Sequence, residues 1–454
     1  MDNNIPNPCN KVITSKNNKM ETIPKNNVDK KKQKTSILFQ HVQNIPRYEW
    51  KDPKAFEAML KQQPIVITKT NLAGKGLEKW YDLDYLGENM SPSAMFHTYF
   101  CEKTFLYSDR NGKKGHPYIF DNKVREVEIP FLQFKNLLEE KINNNKHNND
   151  DGDELIYLQQ PLYAGIGENI TKDFSSMNWA WVNAMRMQLD FGPLTTNTLL
   201  IGQEGSTTPL HFDEQENFLH QIGGTKTCYL FAPSYYKYFY PYPLQHPCDR
   251  QSQINFDAID FDRFSNMRDI CCNDKEEEGG GGGGGNNNVN EKKEKKNSNK
   301  KQYYHGYKCV LEPGDVLYIP RYWWHHIINE KKTSMAINFW FKPPDLDKEI
   351  LNQIPITNPD IKVTLSRNIE KLALNELKNK HKVAGFFKYH DDKLNGKKTT
   401  TKTGKIIEGY EEYFKVVKSR LKLVLREEDI DPFLRDYLFN GRFSGVRVIK
   451  YTAV

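Results

Sequence analysis

Between Leu155 and Pro344 the apolar residues come in short runs, such as "LIYLQQPLYAG", "KTCYLFAP" and "INFWFKPP", each cut off by glycine, proline or aspartate. Runs of this length with this punctuation read as short strands, and many in succession predict an antiparallel barrel or jelly roll. The flanks read differently. "DPKAFEAMLKQQ" predicts a helix capped by Asp52 with Pro53 in its first turn, and "PIVITKTNL" a strand after it. "KTFLYSD" and "HPYIFD" predict two more strands, and "EIPFLQFKNLLEEKI" a helix. Towards the C-terminus, Ile361, Leu365, Ile369 and Leu372 fall on one helical stripe, and "DIDPFLRDYLFNG" predicts a helix with Pro432 near its start and Gly441 as its stop.

These patterns divide the chain. Residues 1–36 form a polar Asn/Lys-rich tail expected to be disordered, 37–150 an α/β region packing on the barrel, 151–350 the mainly β core, and 351–454 a helical region. Two polar insertions interrupt this plan. One spans 272–302, with a glycine run, an asparagine run and a charge run; the other spans about 380–410 and would split the C-terminal helices with a polar loop.

Charge does not point to nucleic acid. The net +7 comes largely from lysines gathered in the tail and in "EKKEKKNSNKK", which read as solvated segments, so no direct nucleic-acid binding is expected. Seven cysteines without a CxxC pair suggest a reducing compartment, and neither a signal peptide nor a run of membrane-spanning length is apparent. A soluble protein of the cytoplasm follows, with nuclear entry through the Lys-rich tail left open.

Two motifs carry candidate chemistry. In "STTPLHFDEQENFLHQIGGTK", His211 and Asp213 would leave an extended strand on the same face, although an isolated HxD is more often an ordinary polar pair than a metal site. The second, "EPGDVLYIPRYWWHHIIN", follows a turn and a strand with an aromatic pair and then His325 and His326, of which only one can face the same side. Two imidazoles and one carboxylate on one flank of an ion leave positions open, which is the arrangement of non-haem iron(II) oxygenases.

Several blocks in order, "TPLHFDEQENFLHQI", "YPYPLQHPCDRQSQINFD", "GDVLYIPRYWWHHI", "INFWFK" and "SRNIEKLALNEL", resemble the JmjC family of iron and 2-oxoglutarate oxygenases, and within it the protein asparaginyl hydroxylases. The resemblance covers most of the chain from about Pro46 to Phe443 outside the tail and the two insertions. It implies a double-stranded β-helix, the jelly roll of cupin and JmjC type, with flanking helices and a C-terminal helical dimerisation region. His211, Asp213 and His325 match the iron ligands, with His326 left to packing.

The same likeness implies that Lys226, Thr208 and Tyr157 bind the distal carboxylate of 2-oxoglutarate, with Asn217 and Asn338 near its other end. By strand alternation Thr208 should face away from His211 unless the strand bulges at Pro209, and Lys226 could equally be a solvated turn lysine. Trp340 matches an aromatic residue packed near the iron. Arg250 and Gln251 match the pair that holds a target asparagine amide, and Gln159 and Tyr107 further substrate contacts; otherwise Arg250 would pair with Asp249 across the turn. The implied partners are iron(II), 2-oxoglutarate, O2, protein substrates in extended conformation such as ankyrin-repeat proteins, and a second copy of the chain through the C-terminal helices. Two other readings remain: a lysine demethylase using the same iron chemistry, and a non-catalytic cupin scaffold.

Overall fold

Two long strands organise the molecule, each running through both layers of one twelve-stranded sheet. The computed structural model describes residues 37–101, 116–120, 124–144, 154–163, 165–271, 306–343, 356–397 and 404–448. Twelve strands are present among them: β1 (Val42–Asn44), β2 (Arg47–Glu49), β3 (Ile65–Thr68), β4 (Met95–Cys101), β5 (Arg125–Pro130), β6 (Leu155–Pro161), β7 (Leu194–Gln203), β8 (Thr207–His211), β9 (Glu216–Phe231), β10 (Gly306–Leu311), β11 (Val316–Ile319) and β12 (Trp324–Phe341). The predicted mainly β, jelly-roll-like core with flanking helices is what the chain forms.

The first half of β9 pairs with β11, while its second half pairs with β10. Likewise β12 starts beside β8 and ends beside β7. One layer therefore runs β2-β3-β11-β9-β12-β7-β6-β4-β5, and the other is built from β8, the start of β12, the end of β9, and β10 with β1. The crossing of β9 depends on Gly223 and Gly224. A Cβ on Gly224, whose φ is +63°, would sit 2.1 Å from the Thr333 carbonyl oxygen, and one on Gly223 would overlap the Tyr81 ring.

Helices close the outer face of the larger layer. Pro53–Leu60 starts where expected, with the Asp52 carboxylate accepting from the Lys54 N–H and Pro53 in the first turn, and it buries Ala55, Ala58 and Met59. Phe131–Asn144 begins three residues later than the sequence pattern suggested, because Glu128–Pro130 pair with β4 as the end of β5. Of "HPYIFD", the described residues 116–120 form no strand: Tyr118 makes a lone bridge to Val448. No helix among the described residues is long and apolar enough to cross a membrane, and no disulfide joins Cys101, Cys228, Cys248, Cys271 and Cys309.

The C-terminal region corrects the expected insertion at about 380–410. Lys380–Leu394 is a helix in which Phe386 and Phe387 are buried, Phe387 stacking on Phe443 at 4.7 Å, so this segment is core rather than polar loop. Its charged residues misled the reading: Asp391 and Asp392 are buried because they accept from the Gly441 and Ser444 N–H groups and the Ser444 hydroxyl. A further helix spans Gly404–Leu421. Pro432 lies late in the helix Glu427–Phe433, not at its start, and the chain then loosens into a π-helical turn at Leu434–Leu438 before stopping at Gly441. On Pro359–Leu377 the buried face includes Val363, Ser366, Arg367, Ile369 and Glu370, while Leu372 from the predicted stripe is 37% exposed. The tail, the 272–302 insertion and the predicted strand "KTFLYSD" lie outside the described residues.

Candidate metal centre and cosubstrate cavity

Between the two layers lies a cavity of about 720 Å³. The larger layer lines it with Tyr157 and Gln159 of β6, Asn217 of β9, and Asn338 and Trp340 of β12; the smaller layer adds Thr208 and His211 of β8, Lys226 of β9 and His325 of β12. Asp213, Arg250 and Gln251 complete it from adjoining loops. Twelve of the thirteen residues singled out from the sequence thus share one cavity, and Tyr107 lies outside the described residues.

His211, Asp213 and His325 each offer a ligand atom, and these atoms all lie within 4.8 Å of one another. β8 ends at His211, so Asp213 is not on the strand but just beyond it, fixed by its own carbonyl accepting from the Tyr322 N–H at 2.7 Å. Each imidazole is aimed by the backbone. His211 donates from Nδ1 to the Pro209 carbonyl at 2.8 Å, and His325 does the same to Trp323 at 3.0 Å. A carbonyl only accepts, so Nδ1 carries the hydrogen and Nε2 presents a lone pair to the cluster. The neighbouring His326 faces elsewhere, stacked on Phe39 at 4.8 Å. His325 is therefore the second imidazole of the centre.

Electrostatics favours the metal-ready form. Burial, followed by the nearby His325, pushes His211 down to about 3, and burial lowers His325 as well. Burial would raise the Asp213 carboxyl, but the surrounding His211, Arg250 and His325 outweigh it and hold Asp213 below its ordinary value. Arg250 Nη1 donates to Asp213 Oδ1 at 2.8 Å. The alternative pairing of Arg250 with Asp249 does not form, because Asp249 is taken by Arg367. Two neutral imidazoles and an ionised carboxylate suit a divalent transition ion that keeps open positions.

At the other end of the cavity stands Lys226, which is 1% exposed. It is not a turn lysine, since it sits within β9 just past the bend. Its ammonium donates to Asn329 Oδ1, and Asn329 in turn donates to the Ser206 hydroxyl at 2.7 Å. Among the described residues no carboxylate pairs with Lys226, and burial drives its pKa down to about 8. The Tyr157 and Thr208 hydroxyls, which line the same cavity, are hydrogen-bonded to each other. Alternation put Thr208 on the far face unless the strand bulged at Pro209, and it does: His211 opposes His325 and Thr208 opposes Ile327, so β8 spends three residues where β12 spends two. The side-chain oxygens of Asn217 and Asn338 are buried without a partner. A buried cation lacking a counterion, with hydroxyls in the same cavity, fits a small dianion reaching from the metal, whereas the two leftover amide oxygens call for a donor.

Some site residues were not foreseen. Asn329, the partner of Lys226, follows the recognised "WWHHII", and Tyr99, His97 and Glu126 line the cavity from β4 and β5, two strands the sequence patterns did not predict. Arg367, which also lines the cavity, lies in the predicted helix but off its apolar stripe and was not singled out. A polar residue repeated on a buried helical face, as Ser366, Arg367 and Glu370 are, is the signal that could have found it.

A jelly roll whose cavity carries two histidines and an aspartate able to hold a metal ion at one end, and a buried lysine at the other, has the architecture of the cupin class. The cupin-like domain family matches residues 53–347, and the chain belongs to that family. It is 24% identical over 283 residues to the Arabidopsis thaliana lysine-specific demethylase JMJ30, covering 61% of this chain and 49% of that protein. Against the zebrafish (Danio rerio) lysine-specific demethylase 8 it is 29% identical over 187 residues, 40% of this chain and 31% of the relative. Human (Homo sapiens) HSPB1-associated protein 1 is 24% identical over 192 residues, 41% of this chain and 30% of that protein. The chain thus spans about half or less of these relatives. JmjC proteins are typically iron(II)- and 2-oxoglutarate-dependent oxygenases, and the His-Asp-His cluster of that chemistry is present here.

Proposed function

We propose that this chain is an iron(II)- and 2-oxoglutarate-dependent protein hydroxylase acting on the β-carbon of asparagine, of the kind represented by factor inhibiting hypoxia-inducible factor. The observation that carries the oxygenase reading is Lys226, a buried cation without a described carboxylate partner in the same cavity as the His211–Asp213–His325 cluster. His211, Asp213 and His325 would hold the iron, and Lys226, Tyr157 and Thr208 the distal carboxylate of 2-oxoglutarate. Bound there, the ferrous ion supplies the redox centre at which O2 and 2-oxoglutarate react. The overall change converts a C–H to C–OH, with one oxygen atom entering the product and the other entering succinate, while CO2 leaves.

The protein's own groups do the positioning. The two backbone carbonyls hold the imidazoles, Arg250 holds Asp213, and Trp340, Leu219 and Ile327 give the cavity apolar walls. Gln251 and Gln159 line the cavity, and a primary amide can donate to one and accept from the other, which supports an asparagine side chain as the target. Ankyrin-repeat segments in extended conformation are the proposed substrates, and a homodimer through the C-terminal region is supported by exposed Val416, Leu423 and Val424. Light scattering of the purified chain should give twice the chain mass.

A demethylase reading is favoured by the names of the Arabidopsis and zebrafish relatives. Mass spectrometry of ankyrin-repeat and methyl-lysine peptides, incubated with the chain, iron(II) and 2-oxoglutarate, separates the two. Gain of one oxygen on asparagine is the expected result. Loss of a methyl group with formaldehyde release would replace hydroxylation with demethylation, and gain of oxygen on another residue would move the target.

A further inference from the structure

Lys226 and Asn329 stand directly opposite each other on β9 and β12, and among the described residues the ammonium hydrogen-bonds to Asn329 Oδ1. An ammonium only donates, so this contact fixes which way the amide is turned. Its other half, Nδ2, donates to the Ser206 hydroxyl at 2.7 Å, and that hydroxyl donates to the Gln203 carbonyl at 2.7 Å. Backbone bonds tie the same residues: the Asn329 N–H donates to the Ser206 carbonyl at 3.0 Å, and the Gly205 N–H to the Asn329 carbonyl at 2.9 Å. Gly202 makes room for the amide, since a Cβ there would sit 2.0 Å from Asn329 Nδ2 and 2.9 Å from Tyr157 Cδ2. Asn329 is thus buried and held at both ends of its side chain, behind the lysine rather than in the cavity wall.

Nothing in this packing demands an amide. An aspartate has the same shape, its second oxygen would take the Ser206 hydroxyl hydrogen, and the Gln203 carbonyl would keep the Ser206 N–H at 3.1 Å. It would also answer the buried ammonium with a full charge. The chain carries the neutral side chain instead. We propose that Asn329 is the positioning residue that sets the specificity of the cosubstrate end: it aims the Lys226 ammonium without neutralising it, and so keeps that charge for the far carboxylate of a 2-oxo dicarboxylic acid. The role rests on the reading of Lys226 as a 2-oxoglutarate contact. With Lys226 paired inside the protein, the same end would be neutral and would suit a 2-oxo acid with an uncharged tail.

The test uses the full chain as Asn329→Asp and Asn329→Ser, with two probes that differ in one group: 2-oxoglutarate, and 2-oxoglutaramate, whose distal carboxylate is a neutral amide. In anaerobic titrations of the iron(II)-loaded proteins, the parent should favour the dicarboxylate by roughly 100-fold, within the range for a buried charge that loses its partner. Asn329→Asp should cut that preference by about thirtyfold or more, with iron affinity unchanged. Asn329→Ser removes the amide without adding charge, so it should keep the preference and bind 2-oxoglutarate about tenfold more weakly. A second measurement needs neither metal nor ligand. Burial lowers Lys226 to about 8, so between there and its unfolded value the unfolded chain binds the extra proton and the parent gains stability as pH rises. Asn329→Asp keeps that proton on the folded chain and should lack the rise in denaturant titrations. A merely structural Asn329 would weaken both probes alike and leave the pH slope as it is in the parent. Asn329→Asp with the parent's preference and slope overturns the inference, and so does Asn329→Ser with the parent's affinity. A parent that binds the two probes equally overturns the reading of Lys226 as a carboxylate site, and the pH slopes then still decide whether Asn329 governs the charge of Lys226.

Discussion

The two ends of the cavity are incomplete in opposite senses. At one end lone pairs converge: two imidazoles aimed by backbone carbonyls and a carboxylate kept ionised by Arg250. At the other end a buried ammonium donates to an asparagine amide and has no carboxylate partner among the described residues, in a cavity also lined by the Tyr157 and Thr208 hydroxyls. The first end calls for a cation and the second for an anion. A divalent ion chelated by a dicarboxylate completes both at once, and neither would be as well held alone.

The largest effect should come from breaking the first end. Asp213→Ala should cut iron- and 2-oxoglutarate-dependent succinate formation more than ~1,000-fold, beyond the ~10–100-fold that outer partners of a ligand command. Anaerobic iron titration should show the loss directly. If the variant retained parent-like turnover, the cluster would not be the metal centre.

Breaking the second end should leave metal affinity near the parent value and act on the cosubstrate instead. Lys226→Met should raise the KM for 2-oxoglutarate by roughly 150-fold, about 3 kcal/mol for a buried charge partner. Stability should move the other way. Unfolded, Lys226 keeps its proton to about 10.5, whereas burial brings the folded value to about 8. Between these values the unfolded chain binds more protons, so without 2-oxoglutarate the parent gains stability as pH rises from 8 to 10, by at most about 3 kcal/mol. Lys226→Met should lack that rise in denaturant titrations, and equal slopes for the two proteins would mean that Lys226 is already compensated.

The smallest effect sharpens the comparison. Tyr157→Phe removes one hydroxyl beside Lys226 and should weaken 2-oxoglutarate about fivefold, near 1 kcal/mol, with iron binding unchanged. A change in iron affinity of the same size would merge the two ends into one.

Much of the site could be read from the chain because strand periodicity is local. A strand shows alternate residues to one side, so "WWHH" announces a face; in "LHFD" the alternation named the right pair although Asp213 lies just past the strand end, and the blocks around them place Lys226, Asn217 and Asn338 by resemblance. Where local rules break, the reading needed help. Thr208 sat on the wrong face until a bulge at Pro209 turned it, and choosing His325 over His326 needed the resemblance until the Phe39 stack showed where His326 goes. "FFKYHDD" was mistaken for a polar loop because buried aspartates look like solvent-facing ones until their N–H partners from Gly441 and Ser444 are in place.

Read without coordinates, the chain already declared a jelly-roll core, its flanking helices and the residue types of a metal centre, since these follow from short-range alternation and punctuation. Which carboxylate each arginine takes, and that Lys226 faces a cavity with no acid to answer it, came with folding. Those facts depend on segments more than a hundred residues apart, as Arg367 is from Asp249 and Asn329 from Lys226, and no local pattern encodes the distance between them.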